Sequence, residues 1–270
     1  MIKINALTEV YAILGNPVKH SLSPFIHNTA FQRYKMNKVY LTFFVSNLKK
    51  AIDGVRALDI KGLSITIPFK VSIIPYLDEL DPLSKTIGAV NTVVNKNDKL
   101  IGYNTDVYGA ISSIEEKIKI KDKTVVMLGA GGVARAIGYG IVNKKGNLII
   151  YNRTIKKGKR LACELNCQFK PIEEIRWDKV DILINSTSVG MTPFINESPI
   201  DIKYLKNIVV FDTVYNPRIT RLLRLAKKKG CVIIQGISML INQAEKQFEL
   251  WTGRRWDSKF KDSLTNEISR

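Results

Sequence analysis

The chain contains 270 residues, of which 45% are apolar, and it carries a formal net charge of +18 at pH 7. This size and composition suit one large domain or two ordinary ones, and no segment approaches the roughly 20 apolar residues that cross a membrane. The lysines are scattered, and no zinc-finger, helix-turn-helix or RNA-binding pattern accompanies them. We therefore expect a lysine-rich solvated surface that attracts anionic small molecules, with no nucleic-acid or membrane partner.

Cysteine and histidine usage predicts a cytoplasmic protein without a metal site. Cys163 and Cys167 lie four residues apart on one predicted helix and its exit, which favours reduced structural thiols. His20 and His27 have no cysteine or acidic neighbours at metal-ligand spacing. The N-terminal sequence lacks the order of charged region, apolar region and cleavage site that is typical of a signal peptide.

In the first part of the chain, apolar runs alternate with helical patterns, which predicts an α/β fold with mainly parallel strands. A Pro-containing connection separates the third predicted strand from two short strands. The predicted strands are residues 9–15, 38–45, 62–67, 89–94 and 99–104, and the predicted helices are residues 24–35, 47–58 and 107–118.

The first loop, GNPVKHSLSPFIHN (residues 15–28), places two serines beside a proline. Ser23 followed by Pro24 is typical of a helix N-cap with proline at the first helical position, so Ser23 has a structural interpretation. Capping does not explain Ser21. The pair therefore needs a second interpretation, which the polar ends of the following strands supply.

Three further segments, SITIPFK, GAVNTV and GYNTD, each place polar groups at a predicted strand. In open α/β sheets, the loops at the carboxyl ends of the strands form the ligand crevice. We expect these segments and the first loop to form one rim, whose hydroxyl, amide, lysine and carboxylate groups suit a polyhydroxylated small acid. The residues of this rim are Ser21, Ser23, Ser64, Thr66, Lys70, Asn91, Thr105 and Asp106.

The alternation of strands and helices restarts in the second part of the chain, which predicts a nucleotide-binding domain. After the last strand, an amphipathic helix over residues 238–253 precedes a polar tail that we expect to be a frayed helix. The predicted strand segments of this part begin at residue 123 and recur at residues 146–154, 180–191, 207–217 and 230–236.

A glycine turn, MLGAGGVARA, follows the first of these strands and opens a helix. Gly129 allows a sharp turn, Gly131 lets the backbone approach a pyrophosphate, and Ala134 lets the helix pack close to the strand. The N-terminus of the helix then offers free N–H groups and positive partial charge to the phosphates. The sequence therefore predicts a dinucleotide site.

The next strand indicates which dinucleotide binds. An NAD site usually carries an acid at the end of this strand, but here the strand ends in Asn152, Arg153 and Thr154. A guanidinium at this point suits the 2′-phosphate of NADP, through charge and paired N–H donors. Thr154 as a helix N-cap and Arg153 as a surface charge are structural alternatives that are compatible with this role.

In this order, the motifs of both parts resemble the shikimate dehydrogenase family nearly from end to end. The resemblance depends on GNPVKHSLSPFIHN, SITIPFK, GAVNTV, GYNTD, GAGGVARA, NRT, NSTSVGM, FDTVYNP and SMLINQAEKQFELWTG. It implies NADPH-dependent reduction of 3-dehydroshikimate to shikimate in chorismate and aromatic amino-acid biosynthesis. It also implies an α/β substrate-binding and catalytic domain, residues 1–106 with a C-terminal helical segment, residues 239–270, that returns to it. A Rossmann-type NADP-binding domain, residues 107–238, lies between them.

The resemblance also implies a role for each matching residue of the substrate site. Lys70 and Asp106 match the catalytic pair, and Ser21 and Ser23 match the serines that hold the substrate carboxylate. The family often has Asn where this chain has Ser64, so that contact can be lost, bridged by water or adapted. Thr66, Asn91 and Gln243 match residues that bind the ring hydroxyls of the substrate. Tyr215 matches a tyrosine near the substrate.

The same matching implies three groups of NADP-binding residues. The phosphate turn comprises Gly129, Ala130, Gly131, Gly132, Ala134 and Arg135. The adenosine phosphate site comprises Asn152, Arg153 and Thr154. The segments that line the nicotinamide side contain Thr187, Val214, Gly236 and Met239.

Competing interpretations remain at this stage. A quinate/shikimate dehydrogenase with a broader substrate range or with NAD as its cofactor shares these motifs, and a sensor without catalytic activity would bind the same molecules. Lys70 and Asp106 can form a surface ion pair, with Asp106 as an N-cap, and Gln243 can be a surface residue. We expect Phe248 and Trp251 to be core residues, and the protein to be a monomer or a homodimer.

Overall fold

The computed structural model describes residues 4–269. The chain forms two units: residues up to Thr105 and from Ala244 onward form the first, and Asp106–Gln243 form the second. The ends of the predicted first domain, residues 1–3 and residue 270, lie outside the described residues.

The first unit contains a mixed six-stranded sheet with the strand order β2-β1-β3-β5-β6-β4. β1 pairs in parallel with β2 and β3, whereas β5 is antiparallel to β3 and β6. The elements are β1 (Glu9–Gly15), α1 (Ser23–Arg33), β2 (Lys38–Phe44), α2 (Leu48–Ala57), β3 (Gly62–Ile65), β4 (Glu79–Leu80), α3 (Pro82–Ile87), β5 (Thr92–Lys96) and β6 (Lys99–Tyr103).

A tight hairpin makes β5 and β6 an antiparallel pair. Asn97 and Asp98 join β5 to β6, and both have positive φ, at 51° and 62°. Two left-handed residues in a two-residue loop match the right-handed twist of an antiparallel pair. Because β5 runs backward, its amino end lies at the same edge of the sheet as the carboxyl ends of β3 and β6.

The connection before β5 contains a helix that periodicity does not predict. The Asp81 side chain accepts hydrogen bonds from the N–H groups of Leu83 and Ser84, Pro82 is the first residue of α3, and Gly88 ends the helix with a φ of +67°. These are ordinary start and stop signals. With only six residues, the helix is too short to show an amphipathic repeat.

The second unit contains a six-stranded sheet in which every neighbouring pair is parallel, with the order β12-β11-β10-β7-β8-β9. This is the strand order of a doubly wound dinucleotide-binding fold, so the predicted Rossmann architecture is confirmed. The elements are α4 (Asp106–Glu115), β7 (Thr124–Leu128), α5 (Gly132–Asn143), β8 (Asn147–Tyr151), α6 (Ile155–Glu164), β9 (Gln168–Phe169), β10 (Ile182–Asn185), β11 (Val209–Asp212), α7 (Arg221–Lys228) and β12 (Val232–Ile234).

The C-terminal helix α8 (Gly236–Thr252) begins in the second unit and ends in the first. Phe248 is fully buried, and the Trp251 indole N–H donates to the backbone oxygen of Val93 at 3.0 Å. Both are core residues, as predicted, and the return of this helix to the first unit is confirmed. The tail forms a second helix, α9 (Ser258–Ser269), whose buried face includes Phe260 and Leu264.

Candidate active site

The carboxyl ends of β1 and β3 bring the first two loops of the predicted rim together. The Thr66 N–H donates to Leu14 O at 3.0 Å, and the Asn16 N–H donates to Ile67 O at 2.9 Å. The Ile65 N–H donates to Asn91 O at 2.8 Å, so Asn91 lies beside the end of β3. Thr66 and Asn91 are therefore gathered at one edge of the first sheet.

The serine pair lies at the start of α1, where the capping interpretation of Ser23 is wrong. Ser23 is the first helical residue and is buried, and Leu22, whose side chain cannot accept a hydrogen bond, occupies the N-cap position. The Ser21 hydroxyl oxygen instead accepts a hydrogen bond from the Ser23 N–H at 3.2 Å. Ser21 thus stabilises the local turn, a role that the sequence analysis did not find.

Asn91 links the start of β5 to the residue that precedes α4. Its Nδ2 donates to Thr105 Oγ1 at 3.0 Å, and its Oδ1 accepts from the Thr105 N–H at 2.7 Å and from Thr92 Oγ1 at 2.8 Å. Asn91 is 2% exposed, so these hydrogen bonds form where water does not compete. Asn91 thereby orients the chain that leads directly into Asp106.

Ser64 is a member of a buried polar network rather than a surface group. It is 5% exposed, and its hydroxyl accepts from Tyr40 OH at 2.5 Å and donates to Gln247 Oε1 at 2.9 Å. Gln247 also contacts His27 Nε2 at 3.2 Å. The sequence analysis missed Gln247, although its position four residues after Gln243 places the two glutamines on one helical face.

The two predicted catalytic residues lie in the segments that follow β3 and β6. Lys70 is half-buried in the turn after β3, and its backbone oxygen accepts from the Val90 N–H at 2.7 Å. Asp106 is the first residue of α4 and is 4% exposed, so the interpretation of Asp106 as a surface residue is wrong. Lys70 belongs to the first unit and Asp106 to the second.

Close packing of α4 against α8 places Asp106 and Gln243 on neighbouring helices of the second unit. A Cβ atom on Gly109 would lie 2.7 Å from Met239 O and 2.9 Å from the Gln243 Cβ, so only glycine allows this approach. Gln243 is 7% exposed and its Nε2 donates to Leu240 O at 2.9 Å. Gln243 is therefore not the surface residue of the alternative interpretation.

The glycine turn has the geometry of a pyrophosphate site. Gly129 has a φ of +114°, and a Cβ there would lie 2.6 Å from Ser186 Oγ, so the turn requires glycine. Gly131 is exposed at the N-cap position of α5, and a Cβ there would meet no described atom within 4 Å. No side chain of the described residues caps α5. The open space beside uncapped N–H donors fits a phosphate group.

The rest of the turn has the packing that this site needs. Ala134 is fully buried in the core beneath α5, and Ala130 and Gly132 are half-buried beside Gly131. Arg135, one turn into α5, pairs with Glu164 Oε2 at 2.5 Å. This pair connects α5 to α6, the helix that follows the predicted adenosine phosphate segment.

The segment after β8 presents basic groups beside the glycine turn. The Gly129 N–H donates to Tyr151 O at 2.9 Å, which joins the two strand ends. Asn152 Nδ2 donates to Thr154 O at 2.8 Å, and Arg153 is exposed. Thr154 occupies the N-cap position of α6, but no side chain of the part described caps this helix. Hydroxyl, amide and guanidinium groups here fit a phosphate-bearing ribose.

A second network, also missed from the sequence, fixes the loops after β10 and β11. Asn185 Nδ2 donates to Asp212 Oδ1 at 2.9 Å, and its Oδ1 accepts from Thr187 Oγ1 at 2.7 Å. Asp212 accepts from the Val214 N–H at 3.0 Å and from Thr220 Oγ1 at 2.6 Å. The buried Asp212 carboxyl group thus holds Val214 directly, and it holds Thr187 through Asn185.

The remaining predicted residues surround the loop after β11. Tyr215 is half-buried directly after Val214. Gly236 begins α8, and a Cβ there would lie 2.6 Å from Thr213 O. Met239 is buried one turn later. A larger residue at Gly236 would therefore displace the loop that carries Val214 and Tyr215.

Titration of Asp212 is expected to make the second unit less stable as pH rises from about 4 to about 6. Burial raises the pKa of Asp212 to about 6, whereas an unfolded aspartate has a pKa near 3.8. The folded state therefore holds a proton that the unfolded state has lost, so the free energy of unfolding falls through this window and is level above it.

The test of this titration compares wild type with Asp212→Asn by urea unfolding at pH 4.5 and pH 7. The variant cannot titrate, so its stability relative to wild type should rise by about 2 kcal/mol between the two pH values. Asp201→Asn, at an exposed aspartate of the same unit, is the control. An equal pH dependence in wild type and Asp212→Asn would contradict the prediction.

His27 is expected to have the opposite effect in the first unit. Burial lowers the pKa of His27 to about 3, although the hydrogen bond to Gln247 raises it in part. An unfolded histidine, with a pKa near 6.5, takes up a proton that the buried ring refuses. The free energy of unfolding therefore falls as pH drops from about 6.5 toward 3, by about 1.4 kcal/mol per pH unit.

The measurement for His27 is the free energy of unfolding at pH 6.5 and pH 5, for wild type and His27→Gln. The glutamine does not titrate, so wild type should lose about 2 kcal/mol more than the variant across this interval. His20→Gln, at the exposed histidine, is the matched control. If His27→Gln loses as much stability as wild type, the buried ring is not the titrating group.

Comparison with known proteins identifies similar sequences over most of the chain. Residues 13–93 match the family model described as the shikimate dehydrogenase substrate binding domain, and residues 112–221 match the model described as shikimate / quinate 5-dehydrogenase. Residues 236–257 match the shikimate 5'-dehydrogenase C-terminal domain. Together the three models cover both units and the start of the C-terminal segment.

Individual relatives are similar at full length. The shikimate dehydrogenase (NADP(+)) of Caldanaerobacter subterraneus subsp. tengcongensis is 43% identical over 96% of each chain. A crystal structure of a shikimate dehydrogenase in complex with NADP+ is 42% identical, with a TM-score of 0.93 over 99% of this chain and 98% of that one. The Thermus thermophilus shikimate 5-dehydrogenase in complex with NADP(H) and shikimate is 31% identical, with a TM-score of 0.89 over 96% of this chain and 99% of that one.

Proposed function

We infer the function of this chain from one premise: it belongs to the shikimate dehydrogenase family. It is an NADP-dependent oxidoreductase that reversibly reduces 3-dehydroshikimate to shikimate, in chorismate and aromatic amino-acid biosynthesis. The observation that carries this conclusion is the match of family models to residues 13–93 and 112–221, in both units of the fold. The same result favours the enzyme over the alternative of a sensor without catalytic activity.

We propose Lys70 and Asp106 as the catalytic residues. NADPH, when bound, supplies the hydride that reduces the ring ketone. The Lys70 ammonium group donates a proton to the oxygen that becomes the alcohol, and stabilises the negative charge that develops there. Asp106 is proposed to hold the lysine in position as its acidic partner. The burial of Asp106 at the start of α4 supports this role, because a buried carboxylate needs partners.

The first-unit residues gathered at the sheet edge are proposed to bind the substrate. Ser21 and Ser23 hold its carboxylate, and Thr66 and Asn91 bind its ring hydroxyls. Ser64 lies beside these residues and is proposed to contact the substrate as well. The hydrogen bonds from Asn91 to Thr105 support this proposal, because they give its carboxamide one fixed orientation. Gln243 and Tyr215, from the second unit, are proposed to complete the set.

The second unit is proposed to hold NADP through the three groups of residues that the sequence predicts. The phosphate turn, Gly129 to Gly132 with Ala134 and Arg135, receives the pyrophosphate. Asn152, Arg153 and Thr154 receive the 2′-phosphate. The nicotinamide lies against Thr187, Val214, Gly236 and Met239. The open space at Gly131 and the exposed Arg153 support this arrangement.

A matrix of assays tests the function and its alternative. Formation of NADPH or NADH at 340 nm is followed with shikimate or quinate, each paired with NADP+ or NAD+. We expect the highest kcat/KM for shikimate with NADP+. A second family description, shikimate / quinate 5-dehydrogenase, favours quinate as the alternative substrate, and a higher kcat/KM with quinate would establish it. Activity with neither acid would contradict the proposed reaction.

We propose that residues 1–106 with 239–270 bind the substrate and that residues 107–238 bind NADP. The two units, which divide after Thr105 and after Gln243, support these boundaries to within a few residues. Hydrogen–deuterium exchange tests the division. Shikimate should slow exchange at the edge of the first sheet, and NADP+ should slow it at the glycine turn. Protection of the glycine turn by shikimate alone would contradict it.

The partners of the protein are small molecules, an acidic substrate and NADP. We further propose that no nucleic acid binds, that the protein is a monomer or a homodimer, and that it is cytoplasmic. The exposed free thiol of Cys163 supports a reducing compartment. Light scattering gives the oligomeric state. Within residues 4–269, no helix is long and apolar enough to cross a membrane, and no group of three acidic, histidine or cysteine side chains could hold a metal ion.

A further inference from the structure

A carboxamide on α8 lies at the centre of the buried network beneath the proposed substrate site. Gln247 is 1% exposed, and its Nε2 donates to Asn91 O at 3.1 Å and to Thr92 Oγ1 at 2.9 Å. Its Oε1 accepts from Ser64 Oγ at 2.9 Å and contacts His27 Nε2 at 3.2 Å. Both amide hydrogens and both oxygen lone pairs therefore have partners.

The partners allow only one orientation of this carboxamide. Asn91 O is a pure acceptor, so it must face the Nε2 of Gln247. The Oε1 then faces His27, whose ring must carry its proton on Nε2, because a carboxamide oxygen can only accept a hydrogen bond. The Tyr40 hydroxyl donates to the Ser64 hydroxyl, which in turn donates to Gln247 Oε1, so the donors of this chain all point toward Gln247. Such a satisfied network rigidifies the groups it joins.

The network joins segments that carry proposed substrate residues. Ser64 lies on β3, two residues before Thr66, and Asn91 precedes β5 and orients Thr105. A change at Gln247 would remove one of the two hydrogen bonds to the backbone oxygen of Asn91, which keeps the Ile65 N–H, and would leave the Ser64 hydroxyl without its acceptor. Its effect would therefore reach the substrate side of the first unit, and not the glycine turn of the second.

We propose that Gln247 is a positioning residue for the substrate, and that it supplies from α8 a buried carboxamide beside Ser64. A serine has no amide, but here the amide of Gln247 is hydrogen bonded to that serine. The proposal rests on the proposed role of Asn91 in binding the substrate. It explains how the chain keeps a buried donor and acceptor beside β3 with Ser64 in place of Asn.

Steady-state kinetics of four variants test the proposal. Gln247→Ala should raise KM for shikimate roughly 10-fold, because several buried polar groups lose their partner at once. Its KM for NADP+ should stay within about 2-fold of wild type, since the glycine turn is not in the network. The double variant Ser64→Asn/Gln247→Ala returns a carboxamide from β3 and should recover most of the loss. Ser64→Asn alone should not improve on wild type, because the space is already filled.

Asn242→Ala is the matched control. Asn242 is a buried carboxamide on the same helix, 2% exposed, and donates to Ser113 Oγ at 3.0 Å in the second unit. Its loss should lower the melting temperature while leaving KM for shikimate unchanged. If Gln247→Ala does not fold, Gln247→Met, with nearly the same volume and no hydrogen-bonding amide, replaces it.

Three outcomes would overturn the proposal: an unchanged KM for shikimate in the Gln247 variants, an equal rise for NADP+, or no recovery in the double variant. The last would mean that the lost packing, and not the lost carboxamide, causes the defect. Wild type is assayed first with shikimate and NADP+. Activity there with a KM insensitive to Gln247 rejects this inference alone, whereas inactive wild type rejects the proposed function itself.

Discussion

Replacing Lys70 with alanine is expected to lower kcat for shikimate oxidation on the order of 10²-fold or more, as is typical for the loss of a general acid or base. The ammonium group is the proposed proton donor to the substrate oxygen, and alanine offers neither a proton nor a charge there. Lys70 is half-buried in the turn after β3. A water molecule that enters there after the substitution carries no positive charge and is a weaker acid than the ammonium group. The measurement is kcat at saturating shikimate and NADP+.

Two further variants make this result specific. Lys85→Met removes an exposed lysine of α3 in the same unit, and should leave kcat unchanged. Lys70→Arg keeps the positive charge but holds its proton far more tightly. If Lys70→Arg retains most of the wild-type kcat, charge stabilisation is the larger effect. If the kcat of Lys70→Arg is as low as that of Lys70→Ala, proton donation is the larger effect. Unchanged kcat in Lys70→Ala would reject Lys70 as a catalytic residue.

The binding of NADP+ to Lys70→Ala separates a chemical defect from misfolding. The dissociation constant, measured by titration calorimetry, should match that of wild type, because the proposed NADP residues lie in the other unit. A variant that loses both kcat and NADP+ binding would indicate a general loss of structure, and Lys70→Met, which keeps the aliphatic stem, would then be the variant to test.

The strands of this fold were predictable because their signal is local. A run such as residues 10–15 is apolar throughout, as expected for a strand covered on both faces, and β1 includes these residues. The glycine turn was predictable because backbone geometry itself requires glycine, as the φ of +114° at Gly129 demonstrates. In both cases the local residues determine the local structure, and no distant contact changes it.

The features that were not predicted depend on distant partners or on short segments. β5 was expected among mainly parallel strands, but it is antiparallel to both β3 and β6, and its pairing with β6 depends on two left-handed residues in one hairpin. α3 is too short for a periodic pattern. Ser23 was interpreted as a cap, yet α1 begins at that residue and Leu22 takes the capping position. One residue of shift in a helix start is enough to change which side chain meets the free N–H groups.

The two buried networks were missed for the same reason. Gln247 is an ordinary polar residue of an amphipathic helix until His27, from the other end of the chain, is packed beside it. Asn185 and Asp212 each end an apolar run, and this was the available signal: a polar residue at the carboxyl end of a buried parallel strand lies at the ligand edge. What sequence could not supply was the pairing of the two.

Reversing the charge at Arg153 is expected to raise KM for NADP+ by about 10- to 100-fold, while KM for NAD+ falls or stays unchanged. A guanidinium–phosphate contact contributes more than a neutral hydrogen bond, and an aspartate in its place repels the 2′-phosphate. An acid at the end of the second strand suits the free 2′-hydroxyl of NAD+. Arg153 is exposed after β8, so Arg153→Asp should not disturb the fold.

The measurement is kcat/KM for each cofactor at saturating shikimate, in wild type, Arg153→Ala and Arg153→Asp. Lys159→Asp, a charge reversal at an exposed position of α6, controls for the change in net charge. Arg153→Ala should lose selectivity for NADP+, and Arg153→Asp should lose more, in an order that follows the charge at that position. Equal losses with both cofactors, or an equal effect from Lys159→Asp, would show that Arg153 does not contact the phosphate that distinguishes them.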